Sequence, residues 1–352
     1  MIYLDNNSTT APNRVVMEEG LKIISSCFGN PSSTHKMGRE ADLLLESARH
    51  SIMKSIGAKE GIVIFTSGGT EANNLALSNG NIFNSSVEHS SGDKSEVLIP
   101  VSTAGVDLDF LEDLLYKEGT CQISCMHSNN ETGLILDPHS NIGKLKGSYD
   151  FLYHIDAVSS YGKTPINVED LHADSLSISA HKIHGLKGVG ALWVRDPSFI
   201  KPLFVGGSQE YSYRAGTQNM LGAITLGLLA KNHTSWASVA EKISLRRLAL
   251  ENLLSDVAEP LLGTRVCNTS NMRFAGIENE IFLEKLSEAG LCVSGMSACS
   301  SGFSTPSRVL TRMFGEDFAR SSVRFSLSST TSDSEINSAA EIVKSVLKGL
   351  GA

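Results

Sequence analysis

Through the first two-thirds of the chain, short β-branched or apolar runs alternate with stretches of helical periodicity, and this limits the possible folds more than any other feature. The runs are Gly61–Thr66, Glu96–Val101, Cys121–His127, Phe151–Asp156, Ser175–Ser179 and Gly190–Val194. Helix patterns occupy Arg14–Ser26, Arg39–Ile56, Glu71–Asn79 and Leu108–Lys117. Such alternation predicts a mostly parallel sheet covered by helices on both faces. From about Ser235 the pattern changes to longer helices, at Ala240–Ala258, Glu280–Ala289 and Ser332–Leu350, with short strands between them. That change predicts a second, smaller α+β unit, and 352 residues are enough to give each unit a core.

The net charge of −8 argues against a nucleic-acid footprint, which needs a basic face. No apolar run approaches the roughly 18–20 residues that span a bilayer. The opening MIYLDNNSTT has neither the basic start nor the apolar run of a secretory signal. Six cysteines without framework spacing predict reduced thiols and a cytoplasmic setting. Cys121, Cys125 and His127 lie close together, but no second ligand pair accompanies them, so no metal site is expected.

Ligands of open α/β sheets bind beyond the carboxyl ends of the strands, and the chemically loaded turns fall at such ends. In Ser175–Val194 a Ser179-Ala180-His181-Lys182 tetrad joins two apolar strands. Lys182 reads either as a surface-loop lysine or as a desolvated amine able to form a Schiff base. Phe65–Asn73 contains Gly68, Gly69 and Thr70 just before a helix, which suits a phosphate; a plain loop with Thr70 as N-cap is the alternative. It is neither a P-loop nor a dinucleotide GxGxxG. Asp156 ends a strand with a carboxylate, either a helix cap or the partner of a heteroaromatic N–H. Asn129–Gly133 and His89 are uninformative by themselves. Gly206–Thr217 is rich in small and polar groups, like a binding loop or a linker. Cys299 sits among small residues, as a working thiol needs. Arg324 lies inside a strand-like run and wants a carboxylate, from a substrate or from a salt bridge within the smaller unit.

In this order and at these spacings, the motifs from Ile2–Thr10 to Arg324–Leu327 resemble cysteine desulfurases of the NifS/IscS type, in the class V aminotransferase group of enzymes that use pyridoxal 5'-phosphate (PLP). The resemblance implies an α/β protein of the PLP-dependent transferase fold type I. A large domain (13–237) would hold a mostly parallel seven-stranded sheet between helices. A smaller α+β domain (1–12 and 238–352) would carry the cysteine loop. Carried over position by position, Lys182 would attach the cofactor. Gly69, Thr70, Ser179 and His181 would hold its phosphate, and Thr217 would reach the same phosphate across a homodimer interface. Asp156 would pair with the ring nitrogen, and His89 would stack on the ring and move protons. Asn130 and Arg324 would meet the substrate carboxylate, and Cys299 would be the nucleophile. The chain departs from the group at Ser159, where a glutamine usually reaches the ring oxygen, and at Leu186, where a proline is usual. The implied activity removes sulfur from L-cysteine, giving alanine and a persulfide passed to an iron–sulfur scaffold or another sulfur acceptor. A selenocysteine lyase, another class V aminotransferase and a non-catalytic sulfur or cluster scaffold are the alternatives.

Overall fold

The protein is described from a computed structural model covering residues 1–232, 236–295 and 306–351. Cys299 and its loop lie outside the described residues.

The chain opens with β1 (Ile2–Tyr3), then helices α1 (Arg14–Ser26) and α2 (Lys36–Ser55). Strand β2 (Ile62–Thr66), α3 (Gly69–Ala76), β3 (Ile82–Ser85) and β4 (Leu98–Ile99) follow. A small hairpin, β5 (Val101–Ser102) and β6 (Gly105–Val106), precedes α4 (Leu108–Glu118), β7 (Cys121–Ser124) and α5 (Asn141–Lys144). Strands β8 (Phe151–Asp156), β9 (Ser175–Ser179) and β10 (Gly190–Val194) lead to α6 (Met220–Lys231) and α7 (Trp236–Leu253). The remainder holds β11 (Glu259–Pro260), β12 (Thr269–Arg273), α8 (Asn279–Glu288), β13 (Leu291–Cys292), α9 (Arg308–Phe314), α10 (Glu316–Arg320), β14 (Ser322–Ser326) and α11 (Asp333–Leu350).

The main sheet has seven strands in the order β2-β10-β9-β8-β7-β3-β4. Only β10 runs antiparallel to its neighbours. The expected mostly parallel, helix-covered sheet is therefore present. Strands β2, β3, β7, β8 and β9 all point one way, so their carboxyl ends share one edge, where α/β folds bind ligands.

Two elements depart from the sequence expectation. Strand β3 was not expected, because Asn81, Asn84, Ser85 and Ser86 make its apolar pair look like a loop. Asn84 is nevertheless buried, donating to the Gly92 carbonyl and accepting from the Lys94 amide, so a returning loop satisfies it. Helix α6 (MLGAITLGLLAK) was missed because it is apolar all round and shows no stripe, as buried helices do. It packs on α1 and α2, so closely that a Cβ at Gly227 would sit 2.6 Å from the Ala48 Cα. Smaller corrections are that the run Glu96–Val101 divides between β4 and β5, and Cys121–His127 pairs only as far as Ser124.

One apolar core lies around the main sheet, and Val309 of α9 leans into it. A second joins Leu4, Leu250, Phe274, Phe282, Phe325 and Val343. The first residues thus pack with the last third of the chain, β1 pairing with β13 and Asp5 bridging to Ser326.

Candidate active site

At the shared strand edge a cleft of about 160 Å³ is lined by residues from seven chain segments. Gly69, Thr70, His89, Asn130, Asp156, Ser159, Ser179, His181, Lys182 and Arg324 all face it. Of the residues singled out from the sequence, Thr217 lines a separate open groove beside Gly206 and Arg214, and Cys299 is not described. Cys121, Cys125 and His127 lie in and just after β7, the two cysteines buried and His127 half-buried; desolvation alone pushes His127 down to about 4.

Helix α3 begins at Gly69 with Gly68 as N-cap and no side-chain cap, so Thr70 is not the cap that a plain loop would require. Its first N–H groups are left aimed at the cleft. The turn runs flat against β10: a Cβ on Gly190 would lie 2.7 Å from the Gly68 carbonyl carbon. Opposite this helix end, Ser179 Oγ is buried and makes no hydrogen bond. His181 completes this side, with Nδ1 3.2 Å from Thr9 Oγ1. Burial, with Lys182, Lys187 and Lys163 nearby, pushes it down to about 4 and keeps the imidazole neutral.

Asp156 is buried and uses both oxygens. Oδ1 accepts from the Val158 amide at 2.8 Å, so it does cap the following turn. Oδ2 accepts from Asn73 Nδ2 at 2.7 Å. Asn73 is a hub that sequence reasoning passed over. Its other Nδ2 proton goes to Ser91 Oγ at 2.9 Å, and its Oδ1 receives His154 Nε2 at 3.2 Å. Ser91 lies 2.8 Å from His89 Nδ1 through its hydroxyl, and its amide donates to the same nitrogen at 3.2 Å. Nδ1 is therefore an acceptor, and the neutral His89 ring carries its proton on Nε2. Burial holds His89 below the usual histidine range, opposed by Asp156 and reinforced by Lys182 and Arg308. Replacing Asp156 with Asn should lower turnover by about 10²–10³-fold, the cost of losing one preorganised charge. Steady-state kinetics check this, and because both Asp156 oxygens accept from N–H donors while Asn keeps one acceptor, the variant should also lose melting temperature.

Lys182 ends a 3₁₀ turn, and its Nζ donates to the carbonyls of Asn7 and Ser8 from the opposite end of the sequence. It is half-buried, not a surface-loop lysine. Arg324 is 2% exposed and makes the salt bridge that was one of its two expected uses. It pairs with Asp5 at 2.8 Å and donates to the Asn130 carbonyl at 2.9 Å, while its Nε is buried without a bond. Asn7 and Ser8 also line the cleft; their stretch was legible in the sequence but their roles were not.

The Aminotransferase class-V profile matches residues 2–338. The chain belongs to the class V aminotransferase family. Curated relatives include cysteine desulfurase IscS of Dictyoglomus turgidum, 37% identical over 99% of this chain and 95% of that protein. The putative cysteine desulfurase IscS 1 of Bacillus subtilis is 35% identical over 99% of both chains. Among solved structures, the NifS-like protein of Rickettsia africae superimposes with a TM-score of 0.90 at 33% identity, covering 99% of both chains.

The residues present fit the family's PLP. Ser179 Oγ and the uncapped α3 terminus are open donors for a phosphate, and Asp156 is an ionisable acceptor fixed in place by two donors. A class V member needs an amine near the ring carbonyl, and Lys182 faces the same cleft.

Proposed function

We propose that the protein is a PLP-dependent cysteine desulfurase. The observation that carries this is the gathering of Lys182, Asp156, His89, Ser179 and Arg324 around one cleft in a class V chain whose full-length relatives bear that name. When bound, PLP supplies a sink for the negative charge that develops at the substrate Cα. Gly69, Thr70, Ser179 and His181 would hold the phosphate, and Ser159 would stand where the family's glutamine serves the ring oxygen. Asp156 would keep a proton on the ring nitrogen, with Asn73 fixing the carboxylate. His89 would face the ring and offer its Nε2 proton. Lys182 holds the cofactor and then moves a proton at the substrate Cα. Arg324, with Asn130, holds the carboxylate of L-cysteine.

Sulfur transfer falls to Cys299. Its thiolate bonds to the substrate sulfur as the C–S bond breaks, and the electron pair left on carbon takes a proton. Alanine leaves and Cys299 carries the persulfide, which passes to an iron–sulfur scaffold or another acceptor. Replacing Cys299 with Ser should abolish alanine formation from cysteine while leaving cofactor binding intact. Full alanine production by that variant would overturn the desulfurase reading and favour another class V activity.

We infer a homodimer as the working form. Thr217 stands away from its own chain's cleft in an exposed segment with Phe204 and Val205, which suits a ligand given to a partner's phosphate. The division into 13–237 and the flanking remainder is proposed on the separate apolar cluster that joins Leu4 to Leu250, Phe274 and Val343, with Leu261 and Val309 of the remainder packing into the larger core. A cytoplasmic setting is supported by Cys27, Cys121, Cys125, Cys267 and Cys292 all being free thiols. No described helix is long and apolar enough to cross a membrane.

A further inference from the structure

Lys163 lies behind the cleft, in the turn that follows Asp156, and is only 8% exposed. Lysines are almost never this buried without a carboxylate, yet its Nζ hydrogen bond goes to a neutral group, Asn7 Oδ1, at 3.0 Å. Asn7 is itself immobilised. Its Oδ1 also accepts from Asn268 at 3.0 Å, and its Nδ2 donates to the Asn130 carbonyl at 3.1 Å and to Thr269 Oγ1 at 2.8 Å. The backbone carbonyl of the same residue accepts from Lys182 Nζ. One rigid residue thus separates two lysine amines. We propose that Lys163 is a positioning residue for Lys182: held on the far side of Asn7, it sets the pH at which the Lys182 amine sheds its proton.

Lys163 faces Lys182, Arg324 and the Cys267 thiol, and among the described residues no Asp or Glu is close enough to compensate it. Burial, with the Lys182 charge next, pushes Lys163 down to about 7, so its charge changes in the working range of an enzyme. Lys182 faces His89, His181 and Asp156 across the cleft, and both imidazoles are held neutral. Asp5 is occupied by Arg324. Lys163 is then the titrating cation on the Asn7 side of Lys182. Like charges disfavour each other, so a protonated Lys163 eases proton loss from Lys182.

The inference rests on Lys182 being the cofactor's attachment point. Its test is a pH titration of the visible absorbance of cofactor-loaded enzyme without substrate. Lys163→Met, and Lys163→Gln, which keeps a neutral donor for Asn7, should both move the midpoint up by roughly one unit. Lys163→Arg, which stays charged throughout, should hold the midpoint at or below the wild-type value. An unchanged midpoint in whichever neutral variant folds overturns the inference. If neither folds, the wild-type curve decides: a curve spread over two coupled steps supports it, and a single one-proton step overturns it. A Lys182→Ala protein that retained the wild-type absorbance titration would instead overturn the role of Lys182 itself.

Discussion

Replacing Lys182 with Ala should reduce alanine release from cysteine by at least about 10⁴-fold, because under the proposed function the substitution removes both the covalent anchor and the proton carrier. Its surroundings explain why no neighbour can substitute. His181 is held neutral beside the phosphate side of the cleft, and His89 has its Nδ1 tied to Ser91. Lys163 is fenced off behind Asn7. Lys182→Arg should not restore activity, since a guanidinium stays protonated. Both variants should still hold PLP through the phosphate contacts, but it should be removable by gel filtration. Activity within tenfold of wild type in Lys182→Ala would sink the assignment.

Replacing Arg49 with Ala should cost about 3–5 kcal/mol of stability, the usual penalty for stripping the partner from a buried charge. Arg49 on α2 grips Glu210 bidentately, at 2.7 and 2.8 Å, and both side chains are nearly inaccessible. Glu210 also accepts the Phe65 amide at 2.8 Å, tying β2 to the same point. The guanidinium lies between the rings of Phe65 and Tyr211, at 5.0 and 4.9 Å. This clamp holds Glu210, Tyr211 and Ser212 in the left-handed region, with φ of 48°, 57° and 69°. Such backbone costs about 1–2 kcal/mol per residue and persists only where its surroundings impose it. Five residues further on lies Thr217, and Arg214 is tied to Glu71 in the first turn of α3 at 3.0 Å. The segment Gly206–Thr217 is therefore an anchored loop and not a flexible linker. Denaturant unfolding checks the value, and a loss below 1 kcal/mol would show that the ion pair is dispensable.

Much of the site was legible because strand-end chemistry is local. Gly69-Thr70, Asp156 and Ser179-His181-Lys182 each announce a turn beyond an apolar run, and the fold then needs only to bring strand ends to one edge. Residues acting through a distant partner gave no such signal. Asn73 reads as an ordinary helix residue until Asp156, Ser91 and His154 surround it. Lys163, in Tyr-Gly-Lys-Thr, reads as a surface turn until Asn7 arrives from more than 150 positions away. His89 stayed uninterpretable because β3, the strand that leads to its loop, satisfies buried polar groups through a later segment instead of showing an apolar pattern.

By itself, the sequence determined the layered α/β plan and the chemical inventory of the cleft, because periodicity and turn chemistry depend on neighbouring residues. The tertiary structure alone decided the protonation and bonding of that inventory. Burial neutralises His181, the Asn73 relay assigns the His89 proton, and the turn after β1 supplies the carbonyls that receive Lys182. Those outcomes depend on desolvation and on partners remote in the chain, which no local pattern encodes.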